Sequence, residues 1–101
     1  MIHINNDIWN IDSELTLKTV AAIYKKYNKN LKNISKVWTI DFKNCHKADS
    51  SGLALIIEYI KYAQNNSIEL KLDNIDTKIL SLANVHGAKD ILEQFIDKHN
   101  N

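Results

Sequence analysis

The chain has no arginine and no proline, two glycines and one cysteine among its 101 residues. Each shortage removes a class of function. Without arginine there is no planar fork to clamp a phosphate or a guanine edge in two-point fashion. The lysines are interleaved with acids and the net charge is +1, so no basic stripe for nucleic acid is expected. Two glycines cannot build a GxGxxG or GxxxxGK[ST] phosphate loop. A single cysteine forbids an internal disulfide, which fits a reducing compartment. No apolar run approaches the roughly 20 residues that cross a bilayer; the longest in a helix-like segment is Leu53 to Ile57. The opening Met1-Ile2-His3-Ile4-Asn5 has neither the basic region nor the apolar stretch of a signal peptide. The composition, 45% apolar and 25% charged, is that of one ordinary globular domain, expected to span residues 1–101, to be soluble and to lie in the cytoplasm.

Hydrophobic periodicity gives a coarse map. Ile2 to Ile4 and Ile8 to Ile11 read as short strands around an Asn5-Asn6-Asp7 turn. Thr16 to Leu31 reads as a helix with Leu17, Val20, Ile23, Tyr27 and Leu31 on one side and lysines opposite. Val37 to Phe42 is β-branched and aromatic, the pattern of a central strand. Ser51 to Asn65 reads as a second helix, Ile68 to Leu72 as a strand with one wet face, Ile75 to His86 as a third helix ending at Gly87, and Ala88 to Lys98 as a last helix. The order β-β-α-β-α-β-α-α predicts an α/β fold: a small mixed sheet of about four strands with helices packed mainly on one face.

The junction Asp49-Ser50-Ser51-Gly52 is the most informative local feature. It stands where a strand gives way to a helix, so a carboxylate and two hydroxyls meet unpaired backbone N–H groups. One reading is a helix cap, with Gly52 permitting close backbone approach. The other is a recognition or phosphoacceptor hydroxyl at Ser50, where a phosphate would add negative charge at the positive end of a helix. The helix that follows carries two apolar stripes. Leu53, Ile56, Ile57, Ile60 and Ala63 make the expected core stripe. Leu55, Tyr59 and Tyr62 make a second one, leaving Ala54, Glu58 and Lys61 for water. The second stripe either packs under a neighbouring helix of the same domain or forms a partner-binding surface.

Nothing in the sequence assembles a catalytic constellation. Cys45 and His46 are adjacent, a spacing that rarely brings thiol and imidazole together, and His3, His46, His86 and His99 show no ligand spacing. The carboxylates are dispersed. No enzyme activity, no metal and no cofactor are expected.

The element order and the strand–Asp49-Ser50-Ser51-Gly52–helix junction resemble the STAS domain, found in bacterial anti-sigma-factor antagonists and in the cytoplasmic tails of sulfate transporters. The resemblance runs from about Ile8 to Phe95. Ser50 falls where anti-sigma antagonists carry the Ser or Thr that a kinase phosphorylates. The second half is similar to one branch, the small STAS subunits of the Mla lipid-asymmetry ABC transporters. Gly52-Leu53-Ala54-Leu55 resembles the opening of that branch's helix, and Leu82-Ala83-Asn84-Val85-His86-Gly87 resembles its ending. Anti-sigma antagonists usually place a phenylalanine within the third helix; none lies between Ile75 and His86.

The resemblance implies a non-catalytic adaptor. Its partner would be the cytoplasmic ATPase subunit of a phospholipid-transporting complex and, through it, the inner-membrane permease. It would sit peripheral to the inner membrane without inserting, and serve outer-membrane lipid asymmetry. Partner-binding residues would be Asp49, Ser50, Ser51, Gly52, Leu55 and Tyr59, with Tyr24 on the first helix as a second anchor or a core-edge tyrosine. The alternative implied is a signalling protein of the anti-sigma-antagonist kind, switched by phosphorylation of Ser50.

Overall fold

A computed structural model describes residues 1–96. Strands β1 (Ile2–Asn5) and β2 (Ile8–Ile11) form an antiparallel hairpin; β3 (Val37–Asp41) and β4 (Glu69–Asp73) follow in parallel, in the order β1-β2-β3-β4. Asn6 occupies the left-handed region (φ 57°), which asparagine tolerates better than most residues and which the tight hairpin turn requires. Register puts Trp9 beside Ile40 and Ile40 beside Leu72. With Ile2, Ile11, Trp38 and Leu70 these form one buried face. The alternate residues, among them Ile8, Val37 and Glu69, are exposed on the other face. The expected α/β architecture is therefore present: a four-stranded mixed sheet whose apolar face is covered by helices.

The first helix is shorter than periodicity suggests. α1 spans Val20–Tyr27 and runs on as a 3₁₀ segment, Asn28–Asn33. Residues 16–19 form a turn pinned by side chains: Thr19 Oγ1 accepts from the Thr16 backbone N–H (3.1 Å) and donates to the Glu14 carbonyl (2.8 Å). Threonine and asparagine compete for backbone groups in this way, which favours turns over helix interiors. The Tyr27 hydroxyl accepts from the Ile2 N–H at 3.1 Å and ties α1 to the sheet edge.

α2 (Ser50–Asn65) is the central helix. Its two apolar stripes are both internal. Leu53, Ile56, Ile60 and Ala63 are buried, and so are Leu55 and Tyr59, each 3% exposed. Tyr59 stands edge-on to Trp9 (5.7 Å between centroids) and Trp38 (5.2 Å), while Tyr62 meets Trp38 at 6.4 Å. Tyr59 and Tyr62 of the second stripe thus pack on the tryptophans of the sheet. Burial pushes the Tyr59 phenol well above its ordinary value, so it stays neutral.

α3 (Thr77–Val85) starts at Asp76, whose carboxylate accepts from the Lys78 N–H at 2.8 Å. It ends at Gly87, φ +73°, with Ala88 N–H bonded to the Ala83 carbonyl at 2.7 Å, the left-handed stop expected there. α4 (Lys89–Glu93) is only five residues long. Ile96 then bridges to Leu72 beside β4, and Asp97 and Lys98 lie outside the described residues. Among those described, no helix is long and apolar enough to cross a membrane.

Tyr59 belongs to the aromatic core, so Tyr59→Ala is expected to destabilise by about 3–5 kcal/mol, the range for truncating a buried aromatic. Tyr59→Phe is expected to melt within a few degrees of the parent. Thermal denaturation of both variants checks this; a wild-type melt for Tyr59→Ala would place the ring outside the core.

Candidate functional site

The site grows from one carboxylate. Asp49 has extended backbone and is the N-cap of α2. Its Oδ1 accepts from the N–H groups of Ser51 (2.9 Å) and Gly52 (3.2 Å). Its Oδ2 accepts from the N–H of Leu17 (2.8 Å), in the turn before α1. One side chain therefore satisfies donors on two separate segments. These bonds, that from Leu17 first, hold the carboxyl below its ordinary value. The same two segments are stitched by backbone: Leu15 N–H donates to the Lys47 carbonyl (2.9 Å), and Asp49 N–H donates to the Leu15 carbonyl (3.1 Å).

Gly52 is buried beneath this stitch. A Cβ there would run into the Leu15 carbonyl and lie 2.7 Å from the Leu15 Cβ. Leu15 is itself fully buried. The glycine is required by the approach of α2 to the β2–α1 loop, not by its dihedral angles.

Ser50 is the first residue of α2 and is exposed. It does not cap the helix; Asp49 does. Its hydroxyl takes no part in any hydrogen bond among the described residues. Ser51 is half-buried behind it. Beside them, Glu14, Thr16, Leu17, Lys18, Lys47 and Asp49 line a cleft of about 240 Å³. Leu17 is 78% exposed at its lip. This corrects the sequence reading, which places Leu17 on the buried stripe: the turn that precedes α1 swings it outward. Tyr24, on α1, is 48% exposed.

Of the residues that the sequence assigns to partner binding, Asp49, Ser50, Ser51 and Gly52 come together, and Tyr24 lies exposed on the neighbouring helix. Leu55 and Tyr59 are a correction: both are consumed by this chain's own core and present no surface to a partner. The sequence reading assigns Leu17 to the core and gives neither Leu17 nor Lys18 a place in the site. The one signal for them is Thr16-Leu17-Lys18-Thr19, where two threonines flank a leucine and favour a turn.

A larger cleft, about 440 Å³, lies between α3 and α4 and is lined by Thr77, Leu80, Ser81, Asn84, Val85, Lys89 and Glu93. No buried polar group converges on it. Cys45 and His46 diverge. Cys45 is buried, and burial pushes its thiol up. His46 Nδ1 faces Asp76 Oδ2 at 3.2 Å. Among the described residues no cluster of three or more His, Cys, Asp or Glu gathers as a metal site would need.

With this geometry in view, comparisons with known proteins place the chain. The fold is shared with the solved structure of a sulfate transporter family protein from Wolinella succinogenes, TM-score 0.73 at 15% identity, covering 92% of this chain and 76% of that one. The structure of Mglu is also similar, TM-score 0.57 at 10% identity, covering 74% of this chain but only 19% of that chain. No curated protein matches significantly. The sheet, the helix order and the junction at Asp49 define a STAS domain. The family model described as "Mlab, STAS domain" matches residues 5–93, and the chain belongs to that family.

Two measurements test the site's construction. Gly52→Ala is expected to cost about 1–3 kcal/mol, the cost of forcing atoms into a packed contact, seen as a lowered denaturation midpoint. Asp49 and Asp76 both sit below their ordinary values, Asp76 through the Lys78 N–H first and His46 second. Their contribution to stability is present above the unfolded carboxylate range, near pH 4, and is lost as pH falls through the lower folded values. Thermal melts between about pH 6 and 2 are expected to show a steeper acid loss for the parent than for Asp49→Asn/Asp76→Asn.

Proposed function

We propose that this chain is a non-catalytic adaptor that binds the cytoplasmic ATPase subunit of a phospholipid-transporting ABC complex and so serves outer-membrane lipid asymmetry. It would reach the inner-membrane permease through the ATPase and remain peripheral to the membrane. The supporting observation is the surface around Ser50. An exposed hydroxyl without a hydrogen-bond partner among the described residues stands on a capped helix end, beside an exposed Leu17. Pre-organised polar and apolar groups of this kind favour protein recognition, because little ordering remains to be done on binding. Membership of the MlaB-type family supports a transporter component as the partner class.

A second reading has one observation in its favour. The same free hydroxyl is accessible to a kinase, and the N-terminal end of a helix favours the charge of a phosphate. In that reading Ser50 is a phosphorylation switch, as in anti-sigma-factor antagonists.

Pull-down with the ATPase subunit, paired with thermal melts, separates the two. Ser50 does not cap α2, so Ser50→Ala is expected to leave the melting temperature within a few degrees. In the adaptor reading Ser50→Ala weakens the complex and Ser50→Asp abolishes it, since a charge is forced into a surface that must be desolvated. In the signalling reading Ser50→Ala binds normally and only the charged form releases the partner. Unchanged binding by both variants would remove Ser50 from either mechanism.

A further inference from the structure

The lysines of this chain are not evenly mixed with its acids. Between Glu14 and Asp41 there are six lysines and no acid: Lys18, Lys25, Lys26, Lys29, Lys32 and Lys36. The remaining residues carry seven lysines against twelve acids. The near-neutral total hides a run of six lysines unbroken by an acid, and the sequence expectation of interleaved charges fails for this segment. All six lysines are exposed. None has a carboxylate partner among the described residues, whose lysine ion pairs consist of Lys61 with Glu58. Lys26 lies over the Tyr27 ring, 5.5 Å from its centroid, and Lys18 lines the cleft beside Asp49. Lys18 lies in the turn before α1, Lys25 and Lys26 lie on α1, and Lys29 and Lys32 lie in the 3₁₀ segment that continues it. The apolar groups Leu17 and Tyr24 are exposed along the same segment.

This basic ridge starts at the candidate site, since Lys18 and Leu17 line the cleft that Asp49 and Glu14 complete. We infer that the partner surface extends from Ser50 along α1 and the 3₁₀ segment, and that the protein docking there presents an acidic face to Lys18, Lys25, Lys29 and Lys32. This rests on the adaptor reading and names the chemistry of the partner's contact. The mixed charge at one end of the segment favours a protein over an anionic lipid surface or a nucleic acid. The end of the ridge where Leu17 is exposed carries Glu14 and Asp49, and Asp49 is held ionised by its three N–H donors. Lys18 and Lys47 line the same cleft, so that end offers both signs of charge, which a uniformly anionic surface does not match. A protein can place acids along the ridge and donors or apolar groups opposite the cleft. Lysine, a point charge on a flexible stem, suits the resulting long-range attraction better than two-point recognition. Such charge steers encounter and raises the association rate more than it slows dissociation.

The test uses the intact chain and a purified ATPase subunit of an MlaB-type transporter, with association and dissociation followed at about 50 and 500 mM salt, across which screening changes strongly. Lys25→Glu/Lys29→Glu is expected to slow association about tenfold or more at low salt, with the gap closing at high salt. Its melting temperature should be unchanged, since neither lysine has a partner to lose. A charge-matched control on other faces, Lys71→Glu/Lys78→Glu, should associate within about twofold of the parent. A parental rate for the ridge variant, together with loss of binding by Ser50→Asp, overturns the acidic face and leaves the adaptor reading standing. Equal slowing by ridge and control variants reduces the effect to net charge and also overturns it. Indifference of the complex to both Ser50 and the ridge, or no complex at all, removes the inference and the reading together. Vesicles with about 30% anionic lipid, enough for a substantial surface potential, form the last arm. Ridge-dependent binding to them, with ATPase association unaltered, assigns the ridge to the membrane and overturns the inference.

Discussion

The Asp49 carboxylate is bonded to three backbone N–H groups on two segments that are distant in sequence. Everything about the candidate site depends on that sharing. A cap made by Ser50 would turn its hydroxyl inward and consume it. With Asp49 as the cap, the hydroxyl is released to the surface while the helix end stays satisfied. The third bond, from Leu17, holds the β2–α1 loop against the helix. Gly52 lets the two backbones meet closely enough for the stitch at Leu15 to form. Cap, loop and close approach form one unit, so the position of Leu17 is fixed by the same group that frees Ser50.

The interior leaves α2 little apolar surface to offer outside the domain. A sheet with one covered face needs helices that bring large apolar groups, and α2 supplies them on two sides. Trp9, Trp38 and Tyr59 pack edge-on within 6 Å of one another, the arrangement that the ring quadrupoles favour. Once both flanks of α2 are spent in this way, its outward strip is Ala54, Glu58 and Lys61, too thin and polar to anchor a partner alone. The remaining apolar exposure near the capped end belongs to Leu17 and Tyr24.

Much of this was legible in the sequence, for physical reasons that can be named. The strands alternate cleanly because only one sheet face is buried, and Gly87 marks a helix end because few other residues take a positive φ there at low cost. The junction at Asp49 was legible as a helix start, but which residue caps was not, since Asp and Ser cap about equally well. The second stripe of α2 was visible and ambiguous, because a partner and the chain's own tryptophans satisfy the same pattern. Leu17 misled, since it keeps helical spacing with Val20 while lying in a turn set by Thr16 and Thr19. The charge ridge was present in the sequence and concealed by the whole-chain tally.

The ridge and the free hydroxyl bear on each other. A phosphate on Ser50 would be welcomed by the positive end of α2 but would sit next to Asp49, which stays ionised. Within the isolated domain these effects oppose, so the fold itself gives such a charge little to do. Against a partner whose acids face Lys18 and Lys25 they no longer cancel. The added charge would meet like charge across the interface, and the neighbouring lysines would be drawn to the phosphate in place of the partner. The adaptor and signalling readings then share one electrostatic design. A neutral residue at the helix end keeps the basic ridge available, and a charged one neutralises it at the point where the partner is most closely held. The readings part at the neutral state: in the adaptor reading the Ser50 hydroxyl itself contacts the partner, and in the signalling reading only its charge matters.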